Sequence, residues 1–141
     1  MTGLLRVLIV DDSDNDASLI IRKLHDEGYD PKAERVDTAE AMKRALEHGE
    51  WDIILCDYKM PLFSVHAALK LVQEMKMDIP FILVSGEIGE DTAMAAVKSG
   101  AHNYVMKGDL CKLAVTIKKE LNEAQKRRKK KIKAETLKEN D

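Results

Sequence analysis

The chain has 141 residues, 45% of them hydrophobic and 34% charged, with a net charge of −2. That balance suits one globular domain with its own core and argues against a disordered or fibrous chain. No apolar run exceeds strand length, so neither a membrane span nor a signal peptide is expected. The small net charge hides an asymmetry: residues 1–109 carry 12 Lys/Arg against 20 Asp/Glu, and residues 110–141 carry 11 against 5.

In chain order, apolar runs alternate with helix-like stretches. A first strand is expected over about 6–11, followed by a helix over about 14–27 with Leu19, Ile20 and Leu24 at helical spacing. Ser13 and Asp14 can cap its first turn, and Gly28 ends it. A weak second strand, about 32–36, precedes a helix of about 38–48 opened by Thr38 and closed by Gly49. The third strand covers about 52–57; Met60-Pro61 then requires a loop before a helix of about 64–76. A fourth strand (about 80–85), a helix from Glu90 or Asp91 to Ser99-Gly100, and a fifth strand (about 102–106) follow. The last helix begins near Asp109, with Leu110, Leu113, Ile117, Leu121 and Ala124 as its docking stripe. Beyond it, seven of the eight residues 126–133 are Lys or Arg. Residues 1–124 are therefore read as the domain and 125–141 as a basic helical extension or linker. Such alternation implies an α/β fold, a parallel sheet covered on both faces as a three-layer α/β/α sandwich.

Four of the strand-like runs end on residues that can handle a phosphoryl group. Val7–Val10 leads into Asp11-Asp12, Ile53–Cys56 into Asp57, Phe81–Val84 into Ser85-Gly86, and Tyr104–Met106 into Lys107. Residues just past the carboxyl ends of parallel strands share one crevice. Three carboxylates there repel one another, a cost that a divalent cation removes; magnesium prefers such oxygen donors and usually binds one or two carboxylates plus a phosphate. Asp11 and Asp12 could instead merely cap the first helix, but that reading leaves Asp57, Ser85 and Lys107 at matching strand ends unexplained. Cys56 lies within a strand run and reads as a small buried apolar residue; with Cys111 it has no metal-ligand spacing, and both suit a reducing, cytoplasmic setting.

Val10-Asp11-Asp12-Ser13, Asp57-Tyr58-Lys59-Met60-Pro61, Val84-Ser85-Gly86, Gly100-Ala101, Tyr104 and Lys107 together resemble the receiver domain of two-component response regulators, over about residues 5–123. The resemblance implies a flavodoxin-like, five-stranded sheet in the order 2-1-3-4-5. It implies that Asp57 is the phosphoacceptor, phosphorylated by a histidine kinase or phosphotransfer protein with Mg2+. Asp12, Asp57 and the carbonyl of Lys59 would be direct metal ligands, and Asp11 would act mainly through a metal-bound water. Lys107 would pair with the phosphoryl oxygens, Ser85 would turn its hydroxyl toward them, Tyr104 would report the state by rotating, and Gly86 would keep the approach open. The chain would be a switch rather than an enzyme, apart from self-catalysed transfer and autodephosphorylation. Its output would be a downstream effector or an attached signalling domain, with a homodimer through helix four, strand five and the last helix as a further expectation. A membrane is not expected as a partner, nor is nucleic acid, because the basic run lacks interleaved aromatic residues.

Two departures from the family pattern stand out. Val65 occupies a position that usually holds glycine. Gly108 follows the lysine where proline is usual, so the Lys107–Gly108 bond is expected to be trans. Two other functions compete. A phosphohydrolase of haloacid-dehalogenase type would place its nucleophile in an Asp-x-Asp after strand one. A flavodoxin-like flavin carrier would need a hydroxyl- and glycine-rich loop there, whereas Asp11-Asp12-Ser13-Asp14-Asn15-Asp16 is strongly anionic.

Overall fold

The computed structural model describes residues 3–86 and 89–139, the side chains of Glu90 and of residues 135–139 excepted. Five strands form one sheet: β1 Leu4–Val10, β2 Asp30–Val36, β3 Ile53–Cys56, β4 Phe81–Ser85 and β5 Asn103–Met106. All pairings are parallel, in the order β2-β1-β3-β4-β5. The helices are α1 Asp14–Asp26, α2 Ala39–His48, α3 Val65–Glu74, α4 Glu90–Lys98 and α5 Leu113–Glu139.

Strand alternation divides the core in two. Val7 and Ile9 of β1, Ile53 and Leu55 of β3, and Ile82 and Val84 of β4 meet Ala17, Ile20 and Leu24 of α1 and Leu113 and Ile117 of α5. Leu8, Val10, Ile54, Cys56, Phe81 and Leu83 point the other way, onto α2, α3 and Ala96 of α4. Strands buried on both faces read as continuous apolar runs, which is why β3 and β4 stand out in the sequence. β2 is weak there because it is an edge strand: only Val36 of its seven residues is buried, and Pro31 is tolerated where no neighbour needs its N–H.

The caps follow side-chain chemistry. Ser13 accepts from the Asp16 amide and Thr38 from the Ala41 amide. Ser64 does the same for α3 by accepting from the Ala67 amide. Val65, at the family's usual glycine position, is the first residue of α3 and is buried in the core. Its side chain anchors the helix start where a glycine would leave it free.

The last helix differs from expectation at its start. A 3-10 turn spans Lys107–Lys112, with Asp109 at non-helical φ −119°, ψ 41°, and regular α-helix begins only at Leu113. The helix then continues through the basic run to Glu139. Leu113, Ile117 and Ala124 are fully buried, Leu110 and Leu121 partly so. Among the described residues, no helix is long and apolar enough to cross a membrane.

Glu120 interrupts that apolar face. It is 6% exposed, and its Oε2 has no hydrogen-bond partner among the described residues. Burial pushes its carboxyl pKa up, opposed by Lys119 and Arg127 and helped by Glu123. With the folded pKa above the unfolded one, stability is greatest below the ordinary carboxyl range and is lost as pH rises through the folded value. Glu120→Leu is therefore expected to stabilise the fold at pH 7 by about 1–3 kcal/mol, the cost of an unsatisfied buried polar group. Thermal melts across pH check this: the gain should shrink under acid conditions, where Glu120 is protonated in both states.

Candidate functional site

The register brings the expected site residues to one edge. Val10 pairs with Cys56, Cys56 with Leu83, and Ser85 with Met106. Asp11, Asp57, Ser85 and Lys107 thus leave the sheet at the same carboxyl end, within a residue or two of one another.

Asp11, Asp12 and Asp57 each direct one carboxylate oxygen into a cluster in which these atoms lie within 4.8 Å of one another. Asp11 is 1% exposed and Asp57 7%, whereas Asp12 is exposed. Asp11 Oδ1 accepts from the Ser13 amide, which ties the acidic pair to the start of α1. Burial pushes the Asp11 carboxyl up, the Ser13 amide and Lys107 pull it down, and the neighbouring Asp57 raises it again. Two buried carboxylates and an exposed third, all hard oxygen donors open on one side, fit a divalent cation of the magnesium class. The Lys59 carbonyl belongs to the loop after β3, two residues past Asp57.

Lys107 spans this cluster. Its Nζ lies 3.1 Å from Asp11 Oδ2, 3.4 Å from Asp57 Oδ2 and 2.7 Å from Asp16 Oδ2. Burial works against its charge, but the hydrogen bonds to Asp16 and Asp11 and the fields of Asp11 and Asp57 outweigh it, so its pKa is raised. The Asp16 contact has no counterpart among the expected roles. In the sequence, an acid in the first turn of a helix reads as compensation of the helix dipole.

Ser85 is buried, and its Oγ has no hydrogen-bond partner among the described residues. A buried hydroxyl left unpaired is costly, so its presence at this edge calls for an acceptor. The space beside it is open: a Cβ added at Gly86 would meet no atom within 4 Å. Tyr104, on edge strand β5, is half-buried and packs against the core on the α2–α3 side. The Lys107–Gly108 bond is trans, like every other described peptide bond.

A family model described as the response regulator receiver domain matches residues 7–118. The chain belongs to this receiver family. It is 28% identical over 108 residues to the chemotaxis protein CheY1 of Helicobacter pylori, covering 73% of this chain and 85% of that relative. It is 31% identical over 102 residues to the transcriptional regulatory protein PrrA of Mycobacterium tuberculosis, covering 72% of this chain. The match spans only 43% of PrrA, so the likeness there is to one part of a longer protein. Among solved structures, the chain is similar to a CheY-like receiver domain protein from Methanospirillum hungatei, with a TM-score of 0.74 and 27% identity over 88% of this chain and 98% of that one. The signal receiver domain of a LuxO repressor protein from Vibrio parahaemolyticus shares the fold, with a TM-score of 0.75 and 24% identity over 86% of this chain and 92% of that one. Receiver membership and the five-stranded order agree with what the sequence motifs imply.

Proposed function

We propose that this receiver domain takes a phosphoryl group on Asp57 from a histidine kinase or phosphotransfer protein and thereby switches a partner. The observation that carries this reading is the buried Ser85 hydroxyl, without a hydrogen-bond partner among the described residues, at the sheet edge that also presents Asp57 and Lys107. In the transfer, a carboxylate oxygen of Asp57 bonds to phosphorus as the bond from phosphorus to the donor imidazole nitrogen breaks. The leaving nitrogen keeps that electron pair. Most of the catalysis in such a step is positioning and charge neutralisation. Lys107 supplies a cation within reach of Asp57, and Ser85 a hydroxyl that can donate to a phosphoryl oxygen. Asp12, Asp57 and the Lys59 carbonyl would hold magnesium directly, and Asp11 through water. The bound ion would neutralise the charge that the carboxylates and the phosphoryl group bring together. With the phosphoryl group in place, Ser85 and Tyr104 would move, altering the face formed by α4, β5 and α5. That face would then meet an effector or a second copy.

The test is to incubate the chain with acetyl phosphate and magnesium and weigh it intact. One phosphoryl group per chain is expected, and none when the metal is chelated before acetyl phosphate is added. No uptake with magnesium present would overturn the reading.

Magnesium should also raise the melting temperature, since binding to the folded state alone stabilises it and relieves carboxylate repulsion. Asp12→Ala is expected to remove most of that rise in a thermal melt. An undiminished rise would take Asp12 out of the ligand set.

The extension from residue 125 serves in this reading as a connector to an effector or an attached signalling domain in the cytoplasm. Among its ties to the domain, Arg127 Nη2 lies 3.1 Å from Asp78 Oδ1, with both side chains more than a third exposed, and Arg128 Nη2 donates to the Asp78 carbonyl at 3.5 Å, also an exposed contact. Pairs of this kind contribute about 0–1 kcal/mol. Ending the chain after Gln125 is therefore expected to cost no more than about 1 kcal/mol in urea denaturation and to leave Asp57 reactive.

A further inference from the structure

We propose that Asp16 is a positioning residue: it holds Lys107 at the α1 rim of the crevice and surrenders it when a phosphoryl group arrives on Asp57. This rests on the phosphoacceptor reading above. In this structure Lys107 donates hydrogen bonds to Asp16 at 2.7 Å and Asp11 at 3.1 Å, while Asp57 at 3.4 Å is an ion-pair neighbour only. The lysine thus directs its best donor geometry away from the acceptor. Asp16 is held for this task. It is the third residue of α1, its amide bonded to Ser13 Oγ, and Ser13 is itself tied to Asp11.

The three carboxylates differ in what release would cost them. The Asp11 side chain is 2% exposed, so losing its cation would leave a buried charge unpaired. The Asp16 side chain is 37% exposed, and water can take over its bonding. A phosphoryl group carries more negative charge than a carboxylate and three strong acceptor oxygens. It therefore outcompetes Asp16 for the ammonium while Asp11 keeps its share. The exchange frees a carboxylate on the first turn of α1, beside exposed Leu19, so the start of α1 changes its charge pairing with the state of Asp57.

The 141-residue chain tests this with beryllofluoride, a phosphoryl mimic, and magnesium. Asp16→Asn removes the competitor and is expected to bind beryllofluoride roughly 2- to 5-fold more tightly, the range set by ion pairs of this exposure. Asp16→Glu, which can still hold the lysine, is expected to return the affinity toward wild type. Two NMR signals report the exchange itself. The Lys107 ammonium resonance of the metal-free protein should shift in Asp16→Asn, and the Asp16 carboxyl carbon of the wild type should move on saturation with beryllofluoride. Unchanged or weaker binding by Asp16→Asn, or a silent Asp16 carboxyl carbon, overturns the proposal. If the wild type saturates while Asp16 stays silent, only this inference fails. A wild type that takes up no beryllofluoride overturns the phosphoacceptor reading, and this inference with it.

Discussion

Asp57→Asn is expected to abolish phosphoryl uptake from acetyl phosphate, with no labelled species in the intact mass spectrum at any magnesium concentration. The amide keeps the size and most of the packing of the carboxylate. It lacks the anionic oxygen that must bond to phosphorus, and nucleophilic transfer has no substitute for that atom. The other carboxylates of the cluster are poorly disposed to take over. Asp11 is fully buried, with one oxygen on the Ser13 amide and the other on Lys107. Asp12 lies at the exposed side of the cluster. The variant should fold at least as well as wild type, because it removes one of three mutually repelling charges. Stoichiometric labelling of Asp57→Asn would move the acceptor elsewhere and undo the assignment.

Phe81→Ala should produce the largest loss of stability, about 3–5 kcal/mol, the usual cost of emptying a buried aromatic site. Phe81 is 1% exposed and heads the largest fully buried side chains. It lies on β4, next to the central strand β3, and packs into the core beneath α3. Its amide donates to His102 Nδ1 at 2.9 Å and its carbonyl accepts from the His102 amide, so the backbone is pinned to the residue just before β5 and cannot readily collapse into the void. Urea denaturation should show a lowered midpoint with an unchanged slope. Leu19→Ala, at a position 53% exposed on α1, is the contrasting case, expected within about 0.5 kcal/mol of wild type. Similar losses for the two would mean that Phe81 is less well packed than its burial indicates.

Local chemistry made much of the chain legible. The apolar runs of β1, β3 and β4 stand out because strands buried on both faces need apolar residues without interruption. Ser13 and Thr38 announce helix starts because a short side-chain oxygen can satisfy an orphan amide. Acids at two of the strand ends, a hydroxyl at a third and a lysine at the fourth point to one crevice, because parallel strands deliver their carboxyl ends to the same edge. Other features depend on partners far away in sequence. Glu120 looks like an ordinary charge on a basic helix, yet it faces the core because the period set by Leu113, Ile117 and Ala124 turns it inward. The late start of α5 follows from the 3-10 turn at Asp109; Gly108 disfavours helix there but does not by itself fix the residue at which the regular helix begins. Arg127 reaches Asp78 across 49 residues only because α5 runs on along the domain.

The alternation of elements, the two-sided core and the identity of the strand-end acids can be read from residues a few positions apart. Which carboxylates Lys107 holds is fixed only when the chain folds. Its reach to Asp11 spans 96 residues and to Asp16 91, and the shorter of the two bonds is the one that no local pattern indicates. Ion-pair partners are chosen by the three-dimensional convergence of strand ends and helix starts, and a hydrogen bond depends on ångström distances that sequence spacing does not encode.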